Sequence, residues 1–298
     1  MKNLFNQKII DAHHHFWEFD DNKHSWLKEN KNIKFHKNYL ANNLINDSES
    51  LQLIKTVHIQ AEIDREYSLY ETEWLQKISN SREDNFPNAI LAYIDLTSPN
   101  IEEVIENHRK FKNFRGFRQI LRFDKNNADL TDTKIDYLNN DLWIDNMSYI
   151  EKNDLIFELL IYYHQYEDAA KLINKYNNIK FIINHSLSPQ GINISNIEKW
   201  KIAINKLSNY SNVYIKLSGF GEIFPNWSLD TIKPFIDFSL NKFGTDRCMF
   251  GSNFPVDKFI SSSAYPDYWQ SYYEIVKDFS QSELDKIFYK NAEIFYNI

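Results

Sequence analysis

The chain has 298 residues, of which 43% are hydrophobic, 16% aromatic and 25% charged, as in globular proteins with a large core. Its net charge of −7 gives no broad positive field, so we do not expect a nucleic-acid partner. Cys248 is the one cysteine, which excludes an intrachain disulfide. No apolar run is long enough for a signal peptide or a membrane span, so we expect a cytoplasmic protein that does not bind membranes.

Eight short apolar runs have the composition of strands that are buried on both faces. These predicted strands are Lys8–Ala12, Thr56–Ala61, Ala89–Ile94, Phe114–Ile120, Leu155–Tyr162, Lys180–Asn184, Val213–Lys216 and Arg247–Gly251. Longer amphipathic stretches separate or follow them and predict helices. These are Glu66–Asn80, Asn100–Lys110, Asp141–Lys152, Tyr166–Tyr176, Ile194–Asn209, Leu229–Phe243, Tyr265–Asp278 and Ser282–Asn297.

The alternation of strands and helices predicts an α/β fold with parallel strands and right-handed crossovers. Eight such units in about 250 residues favour a closed (β/α)8 TIM barrel over an open doubly wound sheet, because closure leaves no strand edge exposed. We expect a single domain over residues 1–298. The segment 16–44, which carries Trp17 and Trp26, is predicted to be a long loop over the barrel mouth.

The first strand ends in a run of histidines. The alternation of side chains along a strand predicts that Asp11, His13 and His15 share one face and that His14 points away. Two imidazoles two residues apart can converge on a metal ion or on a substrate oxygen. Because catalytic residues of such barrels lie at the carboxyl ends of the strands, the position of this pair favours a functional role.

Charged side chains are found at the ends of three further strands. Glu62 could ligate a metal, carry a proton or hold a substrate hydroxyl, and a solvated loop carboxylate is the alternative. Arg118 is predicted to point inward, where a guanidinium requires an anion, either a substrate carboxylate or a neighbouring Asp or Glu. Lys216 is either a barrel-lining cation for an acidic substrate or a side chain that extends to solvent.

Strands five, six and eight end in further polar residues. His164 and Gln165 follow strand five, and His185 follows strand six. A single histidine at a strand end is more often a packed or capping residue than a ligand. Two at successive strand ends, in the same barrel as the histidine pair of strand one, favour a shared site. Small residues at the end of strand eight would let the chain bend and direct Asn253 to the mouth.

The order of these segments resembles the amidohydrolase-2 branch of the amidohydrolase superfamily, which includes sugar-acid lactonases, 2-pyrone-4,6-dicarboxylate lactonase and several decarboxylases. The matching segments span nearly the whole chain. They are DAHHHFW at 11–17, GFR at 116–118, NH at 184–185, KLSG at 216–219 and RCMFGSNFP at 247–255, with Phe288, Asn291, Ala292 and Phe295 similar to the closing helix of the family.

The resemblance implies a distorted TIM barrel with His13 and His15 at the site. In metal-dependent relatives these histidines bind a divalent ion, such as zinc or manganese, with a strand-five histidine and a strand-eight aspartate. The corresponding residues here are His164 and Asn253. In the lactonases of the branch the strand-eight aspartate activates water, often without a metal, and the residue at the position of His185 handles protons or polarises the carbonyl.

Asn253 departs from this pattern. An amide cannot take a proton from water near neutral pH, and it offers a metal ion only a neutral oxygen. Three interpretations stay open at this point. His185, with Glu62, is the general base; Asp257 folds back to replace the lost carboxylate; or the hydrolytic activity has been lost.

The leading hypothesis is a hydrolase that opens a lactone or related carbonyl ester of a small acidic or sugar-acid molecule. His185 or Asp257 would deprotonate the attacking water, and His13 and His15 would stabilise the oxyanion, directly or through a metal. Five residues would bind the substrate: Glu62, Arg118, Gln165, Lys216 and Asn253. The alternatives are a metal-dependent, non-oxidative decarboxylase and a barrel that binds a ligand without catalysis. The Tyr and Phe content is compatible with a homodimer.

Overall fold

The computed structural model describes residues 4–20 and 22–298. Eight strands form one sheet in sequential order, and each strand is parallel to the next. They are β1 (Lys8–His14), β2 (Gln52–Ile59), β3 (Ala89–Ala92), β4 (Phe114–Ile120), β5 (Ile156–Leu160), β6 (Phe181–Ile183), β7 (Val213–Leu217) and β8 (Cys248–Phe250). All eight predicted strands are therefore present, with bounds that differ by a few residues.

The α-helices of the described residues lie between and after these strands. They are α1 (Ser25–Glu29), α2 (Ala41–Ser48), α3 (Ser68–Asn80), α4 (Ile101–Arg109), α5 (Asp141–Lys152), α6 (Tyr166–Lys175), α7 (Ile194–Leu207), α8 (Phe220–Ile223), α9 (Leu229–Phe243), α10 (Val256–Ser261), α11 (Tyr265–Val276), α12 (Gln281–Asp285) and α13 (Asn291–Tyr296). The last predicted helix is thus divided, because a π-helical turn at Lys286–Lys290 separates α12 from α13. None of the helices in the described ranges is long and apolar enough to cross a bilayer.

The barrel closes between β1 and the chain just after β8. There the backbone N–H of Asn253 donates to His13 O at 2.8 Å, and that of His15 donates to Phe254 O at 2.8 Å. A parallel bridge between His14 and Phe254 completes the seam. The predicted (β/α)8 barrel is confirmed, and its closure brings the end of strand eight against the histidines of strand one.

Apolar side chains fill two layers. The barrel interior holds an inner cluster of small and branched side chains from β1, β2, β3, β5, β6 and β8, and α13 adds Phe295 and Tyr296 to it. A larger cluster lies between the sheet and the surrounding helices. Strands buried on both faces explain the continuous apolar runs in the sequence, and they fix the positions at which the strands end.

The segment 16–44 contains α1, a short 3-10 helix and the beginning of α2. Its aromatic residues pack on one another, with the Trp17 ring centroid 5.8 Å from that of Trp26 and 6.2 Å from that of Phe35. The indole N–H of Trp26 donates to Ala61 O at 2.8 Å, which ties the segment to the end of β2. Trp17 and Trp26 therefore stand beside the carboxyl ends of the strands.

Candidate active site

A cavity of about 200 Å³ lies at the carboxyl ends of the strands. Its apolar wall includes Trp17, Trp26, Ile120 and Leu160. Its polar wall combines residues from six strand ends or the loops after them: His15, Glu62, Arg118, Arg122, Asp132, His185, Glu222 and Asn253. Another cavity, of about 500 Å³, lies between the 16–44 segment and α3, and none of the predicted site residues lines it. Because catalytic groups of such barrels converge at strand ends, the smaller cavity is the candidate active site.

The two histidines of strand one lie together, and His185 lies beside them. The ring centroid of His13 is 5.1 Å from that of His15 and 4.5 Å from that of His185. The His13 Nε2 atom is buried and has no hydrogen-bond partner among the described residues. Burial lowers the pKa of His13 and His15 well below the usual histidine value, and nearby cations add to this effect, so both rings are neutral at pH 7.

The expectation that Asp11 shares a face with these histidines is wrong. The pairing of β1 with β2 shifts register between Asp11 and His14, so the simple alternation of side chains breaks there. The Asp11 carboxylate instead accepts hydrogen bonds from Ser252 Oγ at 2.6 Å and from the Tyr265 hydroxyl at 3.0 Å. Asp11 therefore joins the end of β8 to α11 and does not line the cavity.

His185 stands on an unusual turn. The four residues from His185 to Ser188 all have positive φ, between 44° and 62°, and none of them is glycine. Such a conformation costs about 1–2 kcal/mol per residue, and strain of this kind tends to occur at functional sites. Burial lowers the pKa of His185 to about 3, so its ring is neutral at pH 7. The turn thus presents a neutral imidazole to the cavity.

Gly219, after β7, is shaped by this imidazole. Its φ is +71°, and a Cβ atom at this position would lie 2.4 Å from His185 Nδ1. We therefore expect Gly219→Ala to lower the free energy of unfolding by at least about 1–2 kcal/mol and to reduce the hydrolytic rate by displacing the ring. Gly244→Ala is the control for activity, because Gly244, with φ 72° and ψ 169°, also disfavours a side chain but has no atom near the added methyl group. Urea denaturation and kinetics of both variants check this, and equal activity of the two would contradict it.

Asn253 occupies the centre of the polar wall. Its Oδ1 lies 3.2 Å from His15 Nε2, and its Nδ2 donates to Asp257 Oδ1 at 2.8 Å and to Glu222 Oε2 at 3.1 Å. Asp257 also accepts the backbone N–H of Gly221 at 2.7 Å and is fully buried behind Asn253, outside the cavity wall. Burial raises the pKa of Asp257 to about 8. This placement favours a structural role over the proton-removing role that we predicted for Asp257.

Arg118 and Glu62 reach the cavity as predicted. The Nη2 atom of Arg118 donates to Gln60 O at 2.7 Å, while its Nε has no partner in the described part of the chain. Glu62, with φ 53°, exchanges hydrogen bonds with the Gln60 side chain. The arginine side chain is 4% exposed, so an incompletely paired guanidinium lies in a nearly buried wall.

Three polar cavity residues were missing from the sequence analysis: Arg122, Asp132 and Glu222. Glu222 lies in α8, after β7, and its Oε1 accepts from Arg122 Nη1 at 2.9 Å. Its Oε2 lies 3.9 Å from His185 Nε2. The alternation of side chains from Arg118 through Ile120 to Arg122 would have predicted that Arg122 points inward. The segment after β7 could have been searched for Glu222, because the loops that follow barrel strands carry catalytic residues.

Lys216 is not in the cavity wall. Its Nζ donates to both carboxylate oxygens of Glu158, at 2.7 and 2.8 Å, and both side chains are 0% exposed. The Tyr296 hydroxyl and the Asn184 amide also donate to this carboxylate. Lys216 Nζ lies 3.4 Å from His13 Nδ1, so the buried pair supports the histidine from the barrel interior.

The structure does not bring His164 and Gln165 to the cavity. His164 is exposed, and its Nε2 lies 3.2 Å from Phe123 O. The Gln165 side chain donates to Leu121 O at 2.8 Å and accepts the backbone N–H of Tyr162 at 3.0 Å, so it joins the loops after β4 and β5. The proposed metal-binding role of His164 and substrate-binding role of Gln165 stay predictions that this placement does not favour.

The donor atoms at the site do not fit a resident divalent ion. His13 and His15 contribute two imidazoles and Asn253 a neutral oxygen, but the Glu222 carboxylate beside Asn253 is already paired with Arg122 at 2.9 Å, and the Lys216 ammonium lies 3.4 Å from His13. Across residues 4–20 and 22–298, no group of three His, Cys, Asp or Glu residues has the arrangement of a metal site. A divalent ion prefers anionic or several neutral ligands and is repelled by a nearby ammonium. We therefore derive no catalytic step through a metal.

The fold and the strand-end site together define a (β/α)8-barrel enzyme. The chain belongs to the amidohydrolase family, because the sequence model of that family matches residues 10–298. The resemblance found in the sequence is therefore confirmed. An uncharacterized protein, y4mH, of Sinorhizobium fredii is 31% identical over 297 residues, with 97% of this chain and 98% of the relative covered.

Two further proteins are similar over nearly the full length. An L-fucono-1,5-lactonase of Burkholderia ambifaria is 25% identical, with 97% of this chain and 95% of the relative covered. A crystal structure of an amidohydrolase from Burkholderia multivorans, with bound zinc, has a TM-score of 0.84 at 21% identity and covers 98% of this chain and 99% of its own. The second likeness supports the fold, and the first names a reaction that a relative carries out.

Proposed function

We propose that the protein hydrolyses a lactone, or a related carbonyl ester, of a small molecule that carries a carboxylate or several hydroxyls. The similarity to an L-fucono-1,5-lactonase supports the reaction class. The cavity volume of about 200 Å³ is smaller than the 300–1,000 Å³ typical of ligand pockets, which favours a compact substrate.

The observation that carries the proposal is the state of Arg118. Its guanidinium is nearly buried in the cavity wall, and its Nε has no partner in the described ranges. Burial lowers the pKa of Arg118, but an arginine stays charged at any physiological pH. A buried cation with free donors favours a substrate that supplies an anion or hydroxyl oxygens in the same cavity as the histidines.

The histidines supply the electrophilic part of the reaction. A neutral imidazole can donate one N–H to a carbonyl oxygen, and such donors gain strength as negative charge develops in the transition state. His185 lines the cavity, and the unpartnered Nε2 of the buried His13, whose ring centroid lies 4.5 Å from that of His185, is the second donor that we propose for the carbonyl oxygen. Asn253 holds its amide between His15 and Glu222, where it can orient the substrate or the attacking water.

Hydrolysis of a lactone panel tests this function. The panel contains L-fucono-1,5-lactone, other aldonolactones, 2-pyrone-4,6-dicarboxylate and a simple δ-lactone, and acid release is followed with a pH indicator. We expect hydrolysis of at least one compound by the purified protein, with and without a chelator. Folded protein that opens none of them would contradict the proposal. A location in the cytoplasm and a homodimeric assembly stay predictions.

Arg118→Gln tests how the substrate is held. We expect KM to rise about tenfold or more for a lactone with a free carboxylate, because hydrogen bonds to charged groups contribute about 1.5–3 kcal/mol. For L-fucono-1,5-lactone, which has no free carboxylate, we expect a change of less than about threefold. The neutral substrate is thus the internal control. Equal losses on both kinds of lactone would mean that Arg118 does not bind a carboxylate.

A further inference from the structure

One carboxylate of the cavity wall, that of Glu222, can replace the carboxylate missing at position 253. An amide cannot accept a proton from water, so Asn253 cannot be the base. Asp257 is fully buried behind it, and its oxygens accept hydrogen bonds from Gly221, Glu222 and Asn253. A lactonase built on this site therefore needs another group that can take a proton from water.

Glu222 has the required position. It lines the cavity, and its side chain is 28% exposed there, whereas that of His185 is 3% exposed. Its Oε2 lies 3.1 Å from Asn253 Nδ2 and 3.9 Å from His185 Nε2. Glu222 Oε2 thus accepts a hydrogen bond from Asn253, the residue at the position of the family aspartate. It lies on the side of the cavity that contains His185.

The fold fixes this carboxylate from both ends. On the backbone side, the N–H groups of Gly221 and Glu222 donate to Asp257 at 2.7 and 3.1 Å. Asn253 also donates to Asp257. Arg122 binds Glu222 Oε1 at 2.9 Å, which leaves Oε2 directed at Asn253 and His185. Burial opposes ionisation of Glu222, but the Arg122 guanidinium outweighs it and lowers the pKa to about 2, so the group is a carboxylate at neutral pH.

We propose that Glu222 is the general base that activates water in the lactone hydrolysis proposed above, on which this inference rests. Glu222 Oε2 takes one proton from water while the water oxygen forms a bond to the carbonyl carbon. The ring C–O bond then breaks, and the proton passes from Glu222 to the leaving alkoxide. The products are a carboxylic acid and a hydroxyl group, and the enzyme returns to its starting state.

The ion pair with Arg122 links the basicity of Glu222 to the substrate. Arg122 also lines the cavity, so its guanidinium faces the place that an acidic substrate would occupy. A hydrogen bond to Ser188 Oγ at 3.0 Å holds the guanidinium there. A substrate carboxylate that shares this guanidinium weakens its hold on Glu222, and exclusion of water disfavours the charged form. Both effects make Glu222 a stronger base once the substrate is bound.

Moving the carboxylate tests the role directly. We expect Glu222→Gln to lower kcat at least about 100-fold, with KM within about threefold of wild type, on the best lactone of the panel. Adding Asn253→Asp to this variant should restore kcat at least about tenfold, because it returns a carboxylate to the family position. Sodium formate at high concentration should likewise increase the rate of Glu222→Ala.

Glu293→Gln is the control for the loss of a glutamate carboxylate. Glu293 pairs with Lys55 at 2.7 Å, and it does not line the cavity. We expect kcat of this variant within about threefold of wild type. Suppose that wild type is active, and that folded Glu222→Gln keeps more than about a third of kcat or that neither Asn253→Asp nor formate restores activity. The role proposed for Glu222 is then wrong, while the lactonase function stands. If wild type opens no lactone, both proposals fall.

Discussion

His185→Ala and His13→Ala are each expected to lower kcat for lactone hydrolysis at least about 100-fold while the barrel stays folded. Burial keeps both rings neutral at pH 7; His185 lines the cavity, and His13, 4.5 Å from it, has an unpartnered Nε2, so each is a proposed donor to the carbonyl oxygen. Removing one such donor from a preorganised site typically costs about 10²–10³ in rate. Steady-state kinetics on the best lactone, with circular dichroism as the check on folding, measure the effect.

His14→Leu is the matched control for these variants. His14 lies on the same strand and is fully buried like His13, but its ring packs against Phe16 and His58, at centroid distances of 4.2 and 5.8 Å, and not against His185. We expect kcat within about threefold of wild type. Wild-type rates for both His13→Ala and His185→Ala would show that the carbonyl is not bound by these imidazoles.

The fold was predictable because its signal is repeated along the chain. The strand β4 (Phe114–Ile120) and the helix α5 (Asp141–Lys152) have the predicted bounds, since buried parallel strands and amphipathic helices differ in apolar pattern and length. The error at Asp11 has a local cause. A register shift in β1 breaks the alternation of side chains, and such a shift depends on the partner strand and leaves no mark in the sequence of β1 itself.

The site was predictable in part. His13 lies at the end of β1, and His15, His185 and Asn253 come shortly after strands, so their positions follow from the topology. Glu222 lies five residues beyond β7 (Val213–Leu217), in the short helix α8, whose first residues are held by hydrogen bonds to Asp257. Neither residue type nor spacing indicates which loop carboxylate turns inward.

Lys216 shows the limit of assigning a role from an inward-facing charge. The sequence left open whether this lysine meets a substrate, and its partner is Glu158, an acidic residue in the apolar strand β5 (Ile156–Leu160). A lone carboxylate in such a strand requires a buried partner of opposite charge. The pair could be predicted only by knowing that side chains of β5 and β7, the two neighbours of β6, meet inside the barrel.

Lys216→Met is therefore expected to act on stability more than on substrate binding. It leaves the Glu158 carboxylate in a fully buried site without its cation, which typically costs about 3–5 kcal/mol of unfolding free energy. Burial lowers the pKa of Lys216 to about 8, and the neighbouring Glu158 offsets part of that shift, so the ammonium is present at pH 7. Urea denaturation at pH 7 measures the loss.

Two further variants separate the buried charge from other effects of the substitution. Adding Glu158→Gln to Lys216→Met removes the unpaired charge and should recover at least about half of the lost free energy. Lys258→Met breaks the more exposed pair with Asp47, at 2.6 Å, and should cost no more than about 1 kcal/mol. If Lys216→Met keeps wild-type stability but raises KM for acidic lactones, the lysine holds the substrate, because a buried structural pair cannot be broken without destabilising the fold.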